Sequence, residues 1–258
     1  FDGVINIITK DPRDMKGTTL QAGAGEYGTV RTAAIHGGKA GDLGYRLSIG
    51  HDQQQQWRER SSLAFRADRV NGQMNYQLNN GGSVTLEGGV IDSNRDDFPS
   101  ADFVRSNAPY TLGYARAGYE RDDFFIRAFW SQNNLTSSYE TIPVLAPFIV
   151  FSDKNGSPSN IPFLTNSYDL VSQYSHAIGN AHRMTLGANY RHNTLSGTQI
   201  SGFSQEDRFG VYLQDEWRLL QKITLTAGIR MDTHSEIHPT YSPRVALIYA
   251  PHPNHTVR

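Results

Sequence analysis

The sequence predicts an all-β protein, a partial antiparallel transmembrane β-barrel of about 12–13 strands. Apolar and polar residues alternate with a period of two through a long series of segments, which is typical of strands with one apolar face. The connections between these segments are alternately short and long, as in the turns and loops of a membrane barrel.

The alternation places apolar residues on an uncharged face. In the segment from Met184 to Tyr190 the opposite face carries Thr185 and Asn189, and the segment that starts at Ile223 follows the same rule. Lipid requires such a face, since Lys or Arg near the bilayer midplane costs ~2–4 kcal/mol. The opposite face is small, amide-rich and Arg-bearing, as expected of a wet or plugged lumen. The residues expected to face the membrane are Met184, Leu186, Tyr190, Ile223, Leu225 and Ile229.

The predicted turns and links fall on opposite edges. Short turns rich in Gly, Asn, Asp or Pro are expected at 39–42, 79–82, 121–123, 179–181, 220–222 and 251–254. Longer links are expected near 51–62, 92–110, 140–166, 193–206 and 232–242. Residues 26–28 form a short link on the long side. Asp215 shares an apolar face with Trp217, and we expect both near the membrane interface, where an acidic residue costs little.

Composition excludes several classes of protein. The 258 residues carry a net charge of −1 and scattered basic residues, which argues against a nucleic-acid surface. The absence of Cys removes disulfides, Cys zinc sites and Cys nucleophiles. No stretch approaches the ~18–20 apolar residues of a membrane helix. The chain opens at Phe1 without a signal peptide, which we interpret as truncation.

Three segments resemble the TonB-dependent outer-membrane receptors. Gly3–Lys10 is similar to the last plug strand of that family, and the segments Phe209–Asp232 and Tyr241–Leu247 resemble its barrel strands. The resemblance implies a plugged barrel of about 22 strands, multi-pass in the bacterial outer membrane. It implies import of a scarce nutrient, such as an iron-siderophore, haem, cobalamin or a glycan.

The resemblance also implies partners and domains. The expected partners are the TonB–ExbB–ExbD complex, acting through an N-terminal box that is missing here, outer-membrane lipid and the small-molecule nutrient. We expect no cofactor, no bound metal, no nucleic acid and a monomeric full-length protein. Residues 1–16 are assigned to the end of the plug domain and a linker, and 17–258 to the N-terminal part of the barrel. With two open edges, the 258 residues alone are not expected to form a working transporter.

Ligand contacts are expected in the long links, because barrels place recognition on loops above a rigid wall. Link 140–166 holds an apolar run at 143–151, which either packs over the lumen mouth or contacts a bulky ligand. His234 and His238 have the spacing of metal ligands, but a surface loop is the favoured interpretation over metal-chelate contact. The candidates are Trp57, Arg58, Arg60, Phe98, Tyr139, Phe148, Phe151, Phe203, His234, His238 and Tyr241.

Catalysis is not predicted, because the sequence shows no nucleophile elbow and no recognised triad order. The motif Gly23-x-Gly25-x-x-Gly28 matches a dinucleotide fingerprint, but a strand follows where a helix is needed, so a Gly-rich hairpin is favoured. Three alternatives stay open: a passive porin-like channel, an outer-membrane barrel lipase or protease, and a soluble β-sandwich binding module. The plug-like Val4–Lys10 segment argues against the first.

Overall fold

The strands form one antiparallel sheet. The computed structural model describes residues 10–55, 64–94, 104–107, 109–141, 160–197, 204–252 and 255–257. A short 3-10 helix, η1 (Pro12–Asp14), precedes the sheet. The strands are β1 (Gly17–Gly25), β2 (Thr29–Ala40), β3 (Leu43–Gln54), β4 (Phe65–Gln77), β5 (Ser83–Ser93), β6 (Val104–Asn107), β7 (Tyr110–Arg121), β8 (Phe124–Thr141), β9 (Asn160–Ile178), β10 (His182–Gly197), β11 (Ser204–Leu220), β12 (Ile223–His234), β13 (Ile237–His252) and β14 (His255–Val257).

The sheet follows chain order. Each strand pairs with the next, except that the short β6 pairs with the end of β8, while β5 pairs directly with β7. Among the described residues the first and last strands of this path do not pair with each other, so the sheet is an open wall. The predicted all-β, antiparallel architecture is therefore confirmed.

The Gly-rich motif at residues 23–28 forms a hairpin, not a nucleotide loop. Tyr27 and Gly28 have φ values of 59° and 66°, and the Thr29 amide donates to the Glu26 carbonyl at 3.2 Å. Two successive left-handed residues match the twist of the flanking strands, which is why Gly is favoured there. The strand-turn-strand reading of this motif is confirmed.

Strand length separates the two edges of the wall. Strands β8 to β11 contain 18, 19, 16 and 17 residues, whereas a tilted strand crosses a membrane in about 9–11 residues. The turns at residues 122–123, 179–181 and 221–222 hold these strands together at one edge. The surplus residues therefore lie at the opposite edge, where the long links leave.

One predicted link is wrong, and others are shorter than expected. Residues 232–242 are not a loop, because β12 and β13 continue to a two-residue turn at Ser235–Glu236. A shift of register between Asp232 and His234 lets the chain reverse there without a long connection. Of the link expected at 193–206, residues 193–197 belong to β10 and 204–206 to β11, and residues 198–203 lie outside the described residues. Tyr139 likewise lies within β8, not in a link.

Candidate functional site

The predicted membrane-facing residues share one face of the wall. Directly paired residues point to the same side of a sheet, and Leu186 is opposite Leu213, which is opposite Ile229. These three side chains are 53%, 43% and 52% exposed. Met184, Tyr190 and Leu225 belong to the same face by register, and Ile223 lies beside the turn at the start of β12. We call this surface the apolar face.

The N-terminal segment identifies the opposite, polar face as the inner one. Pro12 in η1 is almost completely buried, and η1 packs against β2, β3 and β4. It does so over Gly37 and Gly44, which belong to the polar face through the pairs Gly37–Arg46 and Gly44–Asn75. Because this segment covers the wall on its polar side, we assign the polar face to the lumen of the barrel.

Polar pairs border the apolar face at both ends. Towards the long links, Asp207 accepts a hydrogen bond from the Tyr190 hydroxyl at 2.5 Å and lies 2.8 Å from His192 Nδ1. Towards the short turns, Asp215 Oδ2 lies 2.7 Å from His182 Nδ1, and the His182 ring stacks on Trp217 at 5.3 Å between centroids.

The distance between these borders is close to the height of the apolar band of a membrane barrel. The eight residues from Asp207 to Asp215 span ~26 Å along the strand and ~20 Å along the barrel axis at a tilt of about 40°. The apolar band of an outer-membrane barrel is about 25 Å tall. Asp215 thus lies at the edge of the band beside the short turns, where the sequence pattern expects it.

The inner face is lined by paired charges. Arg191 Nε contacts Asp169 Oδ1 at 2.7 Å, and Arg116 lies 3.7 Å from Glu87. Asp52 is shared by two guanidinium groups on neighbouring strands, Arg31 at 3.4 Å and Arg69. Charge pairs between neighbouring strands satisfy each other's hydrogen-bonding groups, and they fix the side chains in position.

Three inner-face arginines have no carboxylate within 4.0 Å in the described part of the chain: Arg46, Arg218 and Arg244. A guanidinium keeps its charge and offers a planar set of donors. These groups are therefore available to polar or anionic atoms of a plug or a solute.

A second inner-face group is built around Arg230. Its guanidinium donates to both Asp232 oxygens, at 2.7 and 2.9 Å from Nε, and to Asn189 Oδ1 at 2.7 Å. It lies over Gly210, where a Cβ would come within 2.4 Å of the guanidinium. The absence of a side chain at Gly210 thus lets Arg230 tie β10 to β12.

Two tyrosines on the inner face each lock three strands in register. The Tyr114 ring lies over Gly89 of the next strand, and its hydroxyl donates to Asn71 Oδ1 at 3.0 Å. The Tyr212 ring lies over Gly187 in the same way, and its hydroxyl donates to Gln173 Oε1 at 2.6 Å. The sequence analysis missed both, because the Gly and the amide are matched to the Tyr only once the pairing is known.

Most predicted ligand-contact residues lie outside the described residues: Trp57, Arg58, Arg60, Phe98, Phe148, Phe151 and Phe203. The apolar run 143–151 also lies outside them. For Tyr139 the structure gives the strand but not the surroundings of the side chain. Their role in ligand contact stays a prediction.

The three remaining candidates lie on strands instead of the expected loop. His234 Nε2 contacts Glu206 Oε1 at 2.8 Å, and its Nδ1 accepts the Glu236 amide at 2.9 Å. His238 is exposed on the neighbouring strand. Tyr241 is 65% exposed and pairs with Met231 on the apolar face, so its side chain points away from the lumen.

The described ranges offer no group of three or more His, Asp or Glu side chains that could hold a metal ion. Nor does any helix within those ranges have the length and apolar character needed to cross a membrane.

A sheet with one lipid-compatible face between polar borders, and one charged face that receives the N-terminal segment, defines the wall of an outer-membrane β-barrel. The family model described as TonB dependent receptor-like, beta-barrel, matches residues 16–258. The chain therefore belongs to this family, and the resemblance found in the sequence is confirmed. The match to a receptor family also confirms the expectation of a protein that is not an enzyme.

Several solved structures share the fold at low sequence identity. A variant of the ferric enterobactin receptor PfeA of Pseudomonas aeruginosa is 16% identical, with a TM-score of 0.69 over 98% of this chain and 44% of its own. The siderophore receptor PirA of Pseudomonas aeruginosa is 16% identical, with a TM-score of 0.67 over 96% and 43%. The FrpB iron transporter of Neisseria meningitidis is 13% identical, with a TM-score of 0.67 over 92% and 44%. The chain thus spans less than half the length of these structures, and no curated protein matches its sequence.

Proposed function

We propose that the whole protein is an active importer, multi-pass in the bacterial outer membrane. It binds a scarce nutrient at its extracellular loops and takes it up with energy supplied by TonB. The observation that carries this proposal is the segment Asp11–Met15 seated on the inner face, because a plug domain that precedes the barrel in the chain has to be joined to the wall from inside. We assign residues 1–16 to the end of a plug domain and its linker.

The proposed cargo is a metal chelate, with an iron-siderophore first and haem or cobalamin as alternatives; a glycan is the remaining class. Two observations support this order. The structures of similar fold are named as siderophore receptors and iron transporters. The inner face also presents guanidinium groups without a carboxylate partner among the described residues, such as Arg46 and Arg244, and these suit the anionic oxygens of a ferric chelate.

The proposed partners follow from the same mechanism. TonB, with ExbB and ExbD, pulls on an N-terminal box of the full-length receptor. Lipid of the outer membrane covers the apolar face, and one barrel is sufficient, so the receptor acts as a monomer. Ligand contacts are proposed at the long links and at the upper inner face, where His234 and Glu206 lie.

Uptake by cells tests the proposal. The full-length receptor is expressed in a strain without its own siderophore receptors, and radiolabelled ferric enterobactin, ferrichrome, haem and cobalamin are supplied in turn. We expect uptake of ferric enterobactin or ferrichrome, and loss of that uptake in a strain without TonB. Uptake that persists without TonB would show a passive channel instead. Uptake of cobalamin or haem alone would overturn the siderophore assignment but not active import.

The apolar run at residues 143–151 allows a second test, which concerns the proposed ligand contacts. Deleting residues 143–151 from the full-length receptor should weaken binding of the transported chelate if that run contacts it. The matched control shortens the turn at 79–82, on the opposite edge of the wall. Equal affinity in both variants would remove the run from the proposed binding site.

A further inference from the structure

The segment before β1 is held in a defined shape by its own side chains. The Asp11 carboxylate accepts the Arg13 backbone amide at 2.9 Å and the Arg13 guanidinium at 2.6 and 3.0 Å. The Asp14 amide donates to the Asp11 carbonyl at 3.0 Å, and the Met15 amide to the Pro12 carbonyl at 3.2 Å. Every amide from Arg13 to Met15 is thus bonded within the segment, and Pro12 fixes φ at the first residue of η1.

The wall beneath this segment is shaped to receive it. A Cβ on Gly44 would lie 2.3 Å from Arg13 Cγ and 2.9 Å from the Arg13 backbone nitrogen. A Cβ on Gly37 would lie 2.9 Å from Met15 Cβ and 3.3 Å from the carbonyl oxygen of Tyr45. Because backbone atoms are involved at both positions, a flexible side chain cannot swing away to relieve the contact. Both glycines are buried.

The connection to β1 is not packed against the wall as residues 11–15 are. Gly17 has φ +89°, and a Cβ there would meet nothing within 4 Å. The chain thus changes from a tightly packed segment at 11–15 to an open position within two residues. The docking surface therefore ends at Met15, and β1 begins at a left-handed residue, Gly17, a conformation that favours Gly.

We propose that residues 11–15 form a fixed anchor, seated on Gly37 and Gly44, which holds the N-terminal segment to the inner wall. The anchor stays docked during import, so that Asp11–Met15 remain on the wall while the plug domain is displaced. This inference rests on the proposed function, because it assumes a receptor whose plug domain is displaced during import. Asp11, Arg13, Gly37 and Gly44 act as positioning residues.

Amide hydrogen exchange in the full-length receptor tests the packing of residues 11–15 on Gly37 and Gly44, and it needs no ligand. Gly44→Ala should speed exchange at Arg13, Asp14 and Met15 by about tenfold to hundredfold, while β10 is unchanged. Gly72→Ala is the matched control, because Gly72 lies on the apolar face with nothing within 4 Å of an added Cβ. Asp11→Ala, which leaves the barrel untouched, should have the same effect as Gly44→Ala. Unchanged exchange in both Gly44→Ala and Asp11→Ala would overturn the anchor.

Thiol labelling in cells tests whether the anchor stays docked. The 258 residues contain no Cys, so Met15→Cys places a single new thiol in this region. With ferric enterobactin supplied, a maleimide should label this thiol as slowly in cells with TonB as in cells without TonB, and adding Gly44→Ala should speed the labelling. Labelling of Met15→Cys that speeds up only when TonB is present would overturn the proposal. If the unmodified receptor imports none of the supplied compounds, the proposed function fails, and the exchange results and the effect of Gly44→Ala on labelling still decide the anchor.

Discussion

The assignment of the two faces can be tested by moving one charge across the wall. Val211 lies on the apolar face of β11, directly opposite Ala188 and Met231. It is four residues from each of the border residues Asp207 and Asp215. Four residues span ~13 Å of strand and ~10 Å of depth at a tilt of about 40°. Val211 is therefore near the middle of the apolar band.

Val211→Arg should lower the free energy of unfolding by ~2–4 kcal/mol, the cost of Arg at the bilayer midplane. Gln214→Arg, three residues along the same strand, places the guanidinium on the inner face beside Glu216, and the expected change is below about 0.5 kcal/mol. Val211→Ala separates the loss of the valine side chain from the effect of the charge.

The assay is reversible urea unfolding of the full-length receptor in lipid vesicles, followed by Trp fluorescence. The difference between Val211→Arg and Val211→Ala gives the cost of the charge alone. Equal losses for Val211→Arg and Gln214→Arg would refute the face assignment. A cost at Gln214 alone would mean that the polar face is the one that meets lipid.

Two further predictions concern local packing and pH. Tyr212→Phe should lower the free energy of unfolding by about 1 kcal/mol, since it loses one hydrogen bond. Gly187→Ala should lower it by ~1–3 kcal/mol, because the added Cβ would collide with the Tyr212 ring. Gly23→Ala, where the space is open, is the control, and an equally mild Gly187→Ala would contradict the packing. The hydrogen bond from the Arg13 side chain holds the pKa of Asp11 below its ordinary 3.8. The ion pair therefore stabilises docking of the anchor fully above pH 3.8. This stabilisation is lost as the pH falls through the lower pKa that Asp11 has in the folded state. Exchange at the Met15 amide should show this dependence, Asp11→Asn should abolish it, and a wild type without it would count against the ion pair.

The alternation of residues determined much of the fold because a wall between lipid and a wet interior leaves each strand little choice. A charge such as Arg230 is acceptable on one face only, and its neighbour Ile229 is acceptable on the other. Period-two patterns therefore identify strands and faces together. The same logic placed Asp215 at a membrane border, and the structure supplies its partner, His182.

Pattern analysis failed where local polarity was mistaken for a loop. Residues 232–242 contain His, Ser, Glu and Pro, which resemble an exposed link, yet β12 and β13 pair through most of them. Only the tip of this hairpin, near His234, lies at the border marked by Asp207, where a strand no longer needs an apolar face. Backbone pairing continues on both sides of the tip, and Tyr241 and His234 end up on opposite faces of the hairpin.

The sequence by itself determined the fold class, the family, the short-turn edge and the apolar face, because each depends on a repeated local pattern. Only the tertiary structure decided the contacts that join distant residues: Tyr212 over Gly187, Arg230 over Gly210, and the anchor Asp11–Met15 over Gly37 and Gly44. A glycine gives no sign in the sequence of what it receives, because the partner is chosen by strand register and by the path of a segment across the wall. Register is a property of paired strands, and it exists only once the sheet has formed.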